Sequence, residues 1–337
     1  MTIIEDAVKR LEQARRESRA ARPELKPVGR LVDREATEAE PANGHLREDE
    51  PKATAPEPMP EIAPVPDEPR GVTLAEPRDP KPIVVIDRNA LREAGLLAPE
   101  AEEGRLVDEF RHIKRPIVAH AFGKRATKIQ DGRLIMVGSA VSGEGKTFTC
   151  INLALSMAKE QDLSVVLVDA DVAKPHISRM FGLADEPGLL DALDNPDAYD
   201  YKDLVFETDV PGLGILPAGK PRAHATELLS SDRMELLLKA YRRDNIQRLV
   251  LFDSPPLLQT PEARVLASLV GQIAIVVKAG VTPQHVVTNA IGMIDENKAI
   301  NLILNQSRQA SAGGYYGYGY GYGYGNRGSG NSGDRSA

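Results

Sequence analysis

From Arg133 onward, short apolar runs alternate with amphipathic stretches, and this alternation is the clearest regularity in the chain. The runs RLIMVG, SVVLVDA, GLGILPA, RLVLFDSPP, QIAIVVKAG and AINLILNQ are rich in aliphatic residues and lack a polar residue at every second position. Such runs suit strands buried on both faces, and intervening helices make the connections parallel crossovers. Helices are expected from Lys146, over TELLSSDRMELLLKAYRR and over PQHVVTNAIGMIDE. The pattern places one α/β domain, a parallel β-sheet flanked by helices, at residues 105–308.

The remaining segments read differently. Ile4, Val8 and Leu11 recur at helical spacing, which predicts a short amphipathic helix over 1–22. Residues 23–82 are rich in Pro, Glu and Ala with few large apolar side chains, and are expected to be a disordered linker. Residues 83–104 should be a short helical lead-in with Asp87 as its cap, followed by a helix over LVDEFRHIKRPIVAHAFG that Pro116 interrupts. Residues 309–337 are Tyr/Gly-rich and predict a flexible tail.

Composition sharpens this division. Residues 31–80 carry 5 Lys/Arg against 13 Asp/Glu, a local excess of acid that alone exceeds the whole chain's formal charge of −7. The folded part is thus near neutral, which argues against a globally basic nucleic-acid binder, and no nucleic-acid partner is expected. The single cysteine, Cys150, excludes a disulfide framework and reads as a small core residue. No run approaches the roughly 20 apolar residues of a membrane span. The N-terminus lacks the order of a signal peptide. A cytoplasmic protein, reaching the inner membrane only through a partner, is expected.

The chemistry concentrates in AVSGEGKT, Ala140 to Thr147, directly after RLIMVG and opening a helix. Small residues let backbone N–H groups converge on phosphates, and a helix N-terminus adds partial positive charge. Lys146 supplies a full charge to the β- and γ-phosphates, and Thr147 offers a hydroxyl to Mg²⁺. The expected fold is therefore a P-loop NTPase, with Ser142, Gly143, Glu144, Gly145, Lys146, Thr147 and Phe148 as nucleotide contacts. Strand ends supply carboxylates at Asp169, Asp171 and Asp253, and in a parallel sheet these ends share one edge.

The loop AVSGEGKT, the doublet VLVDADVAKP and the run LVLFDSPP, in this order, resemble the bacterial tyrosine kinases of exopolysaccharide and capsule production. The three correspond to that family's Walker A, Walker A′ and Walker B motifs, and the resemblance covers about residues 105–325. It implies ATP and Mg²⁺ as cofactors, Lys146, Asp169, Asp171 and Asp253 as catalytic residues, and Thr147, Asp171 and Asp253 around the metal. Asp169 is implied as acceptor of the tyrosine proton. GGYYGYGYGYGYG matches the family's tyrosine cluster, making Tyr315, Tyr316, Tyr318, Tyr320, Tyr322 and Tyr324 the implied phosphoacceptors. DEFRHIK resembles its oligomerisation motif, with Asp108, Arg111 and Lys114 at an interface between copies in a ring. LREAGLLAPE leading into DEFRHIKRP is further similar to the autokinases encoded with exosortase systems. A transmembrane activator of the polysaccharide co-polymerase type and a tyrosine phosphatase are the implied partners. Asn305 takes a strand-end position where related folds contact adenine.

This chain departs from the family at Ala140, Ala173 and Lys114, where a glycine, an arginine and an arginine are usual. A second reading is a nucleotide switch resembling the septum-site and plasmid-partition ATPases. Their signature lysine falls at Val141 here, which favours the kinase. The tail also starts within reach: Tyr315 lies ten residues beyond Asn305, a span of at most roughly 33–36 Å. Tyr199, Tyr201 and Tyr241 lie inside the domain and read as packing residues.

Full phosphorylation would add roughly −9 to −12 to a tail that holds only Arg327 and Arg335. Modified tails should then repel and loosen the oligomer. Light-scattering mass measured before and after ATP/Mg²⁺ treatment checks this, and an unchanged mass contradicts it.

Overall fold

The computed structural model describes residues 27–32, 82–123, 129–244 and 247–307. The expected helix over 1–22, most of the linker and the tyrosine-rich tail lie outside the described residues. The central sheet has seven strands: β3 (Leu134–Ser139), β4 (Ser164–Asp169), β5 (Phe206–Glu207), β6 (Leu213–Leu216), β7 (Arg248–Asp253), β8 (Gln272–Lys278) and β9 (Ala299–Asn305). Their order is β5-β6-β4-β7-β3-β8-β9, and every neighbouring pair is parallel except β5 with β6. The chain runs from β3 to β4 through α3 (Lys146–Ala158), and β7 later inserts between the two.

The apolar runs fit this position because each strand faces two cores. Ile135, Val137, Val165, Leu167, Leu249 and Leu251 pack with α3 and α2 (Arg105–Phe122) on one face. Leu134, Met136, Val166, Val168, Val250 and Phe252 pack on the other. There they meet α5 (Leu189–Asp194), α6 (Ala225–Leu229), α7 (Asp232–Asp244) and α8 (Pro261–Leu269). Tyr241 is buried in this second core and meets Tyr201 edge to face, with ring centroids 4.8 Å apart; Tyr199 packs against the same core. Cys150 is buried in the first core.

Three expectations change. Pro116 does not interrupt α2, which runs continuously from Arg105 to Phe122. The proline is exposed, so the His112 carbonyl it leaves without a helical donor lies on the side that water reaches. The single helix expected over 226–243 is two, broken at Ser230 and Ser231. Their hydroxyls donate to the carbonyls of Thr226, Glu227 and Leu228, a local competition that ends a helix.

The third change concerns the linker. Gly29–Val32 forms β1, antiparallel to β2 (Ile83–Ile86), so the span 23–82 is not unstructured throughout and 83–86 is not helical. Val28 and Val84 are fully buried, the Val28 N–H donates to Met180 O, and the Asp87 N–H donates to Val28 O. Val84 bridges to Thr208 beside β5, which attaches this ribbon to the main sheet. Asp87 caps α1 (Arg88–Glu93) as expected, accepting from the N–H groups of Asn89 and Ala90. Truncating the buried Val28 to Ala should cost about 1–3 kcal/mol. Urea unfolding of the full chain measures this, and an unchanged midpoint contradicts the docking of β1.

Candidate active site

The loop between β3 and α3 opens at the carboxyl edge of the sheet. Gly143 and Gly145 both have positive φ, 89° and 95°. At Gly145 a side chain would also collide with the Asn305 carboxamide, so glycine is required twice over. No side chain caps the first turn of α3, which leaves its N–H groups directed at the loop. Ser142 and Gly143 form the exposed crest, whereas Glu144 is buried.

Lys146 and the carboxylates converge here. Lys146 Nζ donates to Asp171 Oδ2 at 2.9 Å, and both side chains are largely buried. Burial lowers the Lys146 pKa, but the charges of Asp253, Asp171 and Asp169 outweigh it and the net direction is up. Thr147 Oγ1 donates to Asp253 Oδ2 at 2.7 Å. Asp169 and Asp253 are direct partners in the register of β4 and β7, and both are completely buried. Burial, and then the Asp253 charge, push Asp169 up to about 7; bonds from Ser178 act the other way. Burial likewise pushes Asp253 up to about 6 against the opposing effects of Lys146 and Thr147.

Asp169 Oδ2 accepts from both the N–H and the hydroxyl of Ser178, at 2.8 and 2.7 Å. Ser178 Oγ in turn accepts from the Ala218 N–H, which ties the ends of β4 and β6 together through α4 (His176–Met180). Sequence reasoning missed Ser178, which lies nine residues beyond Asp169 in a stretch without a motif. The other oxygens, Asp169 Oδ1 and Asp253 Oδ1, are buried and have no hydrogen-bond partner. The bare Asp253 oxygen, on the carboxylate that the Thr147 hydroxyl bonds, offers hard oxygen donors of the kind Mg²⁺ takes. No cluster of three or more His, Cys, Asp or Glu forms a protein-only metal cage among the described residues.

The remaining candidates distribute unequally. Asn305 donates through Nδ2 to Glu144 O at 2.8 Å, and its Oδ1 accepts from the Gln306 N–H, so its carboxamide rests on the phosphate loop. Phe148 lines a cavity of about 310 Å³ with Phe110, Ile113, Ile303, Asn305 and Gln306. Asp108 and Arg111 are exposed on α2 and pair with each other at 2.5 Å. Lys114, expected beside them at an interface, is instead buried: its Nζ donates to Ser156 O at 2.8 Å and pairs with Glu160 at 2.6 Å. It fastens α2 to α3 because it lies one helical turn from both Phe110 and Ile117, on their inward face. Burial pushes the Cys150 thiol well up, and the charges of Asp253 and Asp169 push it the same way, away from the reactive thiolate.

A family model described as ParA, NUBPL iron-transfer P-loop NTPase, matches residues 131–201. Tyrosine-protein kinase YwqD of Bacillus subtilis (strain 168) is 31% identical over 187 residues, 54% of this chain and 77% of that protein. Tyrosine-protein kinase ptk of Acinetobacter johnsonii is 28% identical over 182 residues, 53% of this chain; the match spans only 24% of that longer relative. The solved BceF tyrosine kinase domain superposes with a TM-score of 0.52 at 26% identity, covering 64% of this chain and 86% of that one.

The raised Asp169 pKa has a consequence for stability. Its folded value of about 7 exceeds the usual carboxylate value, so the folded state binds this proton more tightly than the unfolded chain does. The stability it contributes is complete below about pH 4 and is lost as pH rises through about 7. With chelator present, Asp169→Asn should therefore be more stable than wild type at pH 8 and show a flatter pH profile. Thermal melts across pH 5–8 check this; parallel profiles contradict it.

Proposed function

The chain belongs to the bacterial tyrosine-protein kinases, and from that premise we propose that it transfers the γ-phosphoryl group of ATP to tyrosines of its own C-terminal segment, in trans within an oligomer. The observation that carries this reading is the shared edge. Lys146, Thr147, Asp169 and Asp253 meet at the sheet edge at which β9 also ends, and Asn305 at that end rests on the phosphate loop. The chain therefore leaves the sheet beside its own phosphate-binding loop.

Phosphoryl transfer needs positioning and charge neutralisation more than covalent help from the protein. Lys146 and the loop N–H groups hold the β- and γ-phosphates, and the cavity lined by Phe148 takes the nucleoside. Thr147 and Asp253 hold Mg²⁺, which when bound neutralises phosphate charge. Asp171 orients Lys146 and is the further carboxylate on that side. Asp169 receives the tyrosine proton on Oδ1 as the phenolic oxygen bonds to the γ-phosphorus. The bond from that phosphorus to the β–γ bridging oxygen breaks, and ADP leaves. A carboxylate with a pKa of about 7 suits that exchange near neutral pH.

By the family likeness, the reaction regulates exopolysaccharide synthesis or export, together with a transmembrane co-polymerase-type activator and an opposing tyrosine phosphatase. No helix among the described residues is long and apolar enough to cross a membrane. Peripheral attachment at the inner membrane through the activator is consistent with that. Asp108 and Arg111 remain the exposed candidates for contact between copies.

The family-model match over residues 131–201 favours a second reading, a nucleotide switch without kinase activity. That stretch covers the phosphate loop and the β4 carboxylates, which serve either role. Incubation with ATP and Mg²⁺ followed by an anti-phosphotyrosine blot separates the two. Phosphotyrosine is expected in wild type and absent in Lys146→Ala. Asp169→Asn should lose roughly 10²–10⁴-fold in rate while still binding ADP. A blank wild-type blot with intact nucleotide binding contradicts the kinase reading.

A further inference from the structure

Glu144 was expected to touch the nucleotide, yet its carboxylate is turned away from the crest of the loop and is buried, at 2% exposure. Three donors from two segments meet it. Oε2 accepts from the Val141 N–H at 2.8 Å, within the loop itself. Oε1 accepts from the Thr282 hydroxyl at 2.5 Å and, more distantly, from the Lys278 N–H at 3.4 Å. Lys278 and Thr282 bracket the turn that connects β8 to α9 (Gln284–Ile291). The same turn is pinned from the other side, where the Ala279 N–H donates to Asn305 O.

We propose that Glu144 is a positioning residue, a strut that fixes the phosphate loop against the β8–α9 turn and sets the loop's shape before nucleotide arrives. This rests on the reading of the loop as a nucleotide site and deepens it. A phosphate-binding loop loses affinity if its N–H groups must first be ordered, because that ordering entropy opposes binding. Glu144 supplies the order from inside: one carboxylate oxygen holds the Val141 end of the loop, and the other anchors it to a turn 138 residues further along the chain. The buried carboxylate is satisfied there because three donors converge on it. Thr282, which no motif marks, is the partner that makes the strut external to the loop.

A double-mutant cycle on the full chain tests this, with ADP affinity measured by calorimetry so that the outcome does not depend on kinase activity. Glu144→Ala should weaken ADP binding at least tenfold, and Glu144→Gln, which keeps one acceptor oxygen, should recover most of that loss. Thr282→Val should weaken binding about threefold, and Glu144→Ala with Thr282→Val should be no worse than Glu144→Ala alone. In steady-state assays Thr282→Val should raise the KM for ATP and leave kcat near wild type, a split that general destabilisation would not produce. Unchanged affinity in Thr282→Val overturns the proposal, even if Glu144→Ala fails to fold. Losses that multiply in the double variant also overturn it. If ADP binding follows the cycle but no phosphotyrosine forms, the strut stands and the kinase reading fails.

Discussion

Two carboxylates in register on neighbouring strands, Asp169 and Asp253, are buried side by side at one sheet edge, and the surrounding structure exists to make that pairing tolerable. Like charges at close range in a dry site repel strongly, and burial adds a desolvation penalty to each. Lys146 answers with charge, Thr147 with a hydroxyl to Asp253, and Ser178 with two donors to Asp169. One oxygen of each carboxylate is left without a donor. The pair is therefore electrostatically unsatisfied, and on the proposed reading a hard cation and a transferable proton complete it.

The fold supplies the rigidity such a site needs. β7 is inserted between β3 and β4, so the residue at its end stands between the phosphate loop and Asp169. Both faces of these strands are sealed by separate apolar cores, which keeps water from the carboxylates and fixes the strand ends. Lys114 contributes by binding α2 to α3, the helix whose N-terminus bears the phosphate loop. The residue that resembles part of an interface motif thus acts inside the domain.

Much of this was legible in the sequence because the chemistry is local. The phosphate loop, the strand before it and the helix after it are contiguous, and Asp169 and Asp253 each close an unmistakable apolar run. What stayed hidden acts across the chain. Thr282 reaches Glu144 over 138 residues, and nothing near it marks the contact. β1 is four residues set among prolines and acids, and it becomes a strand only because β2 and Phe181 supply its partners. Pro116 was read by residue type and Lys114 by its place in a resembled motif, whereas their roles follow from which face of α2 each occupies. The tyrosine cluster was readable as composition, and it lies outside the described residues.

Transfer between copies is the central claim, and a mixing experiment addresses it directly. One protein is wild type at the site but carries Tyr→Phe at all six tail tyrosines; the other carries Lys146→Ala and an intact tail. After incubation with ATP and Mg²⁺, mass spectrometry of the separated chains should find phosphate on Tyr315, Tyr316, Tyr318, Tyr320, Tyr322 or Tyr324 of the Lys146→Ala chain. An unmodified Lys146→Ala chain, beside a wild-type control that phosphorylates itself, would contradict transfer between copies.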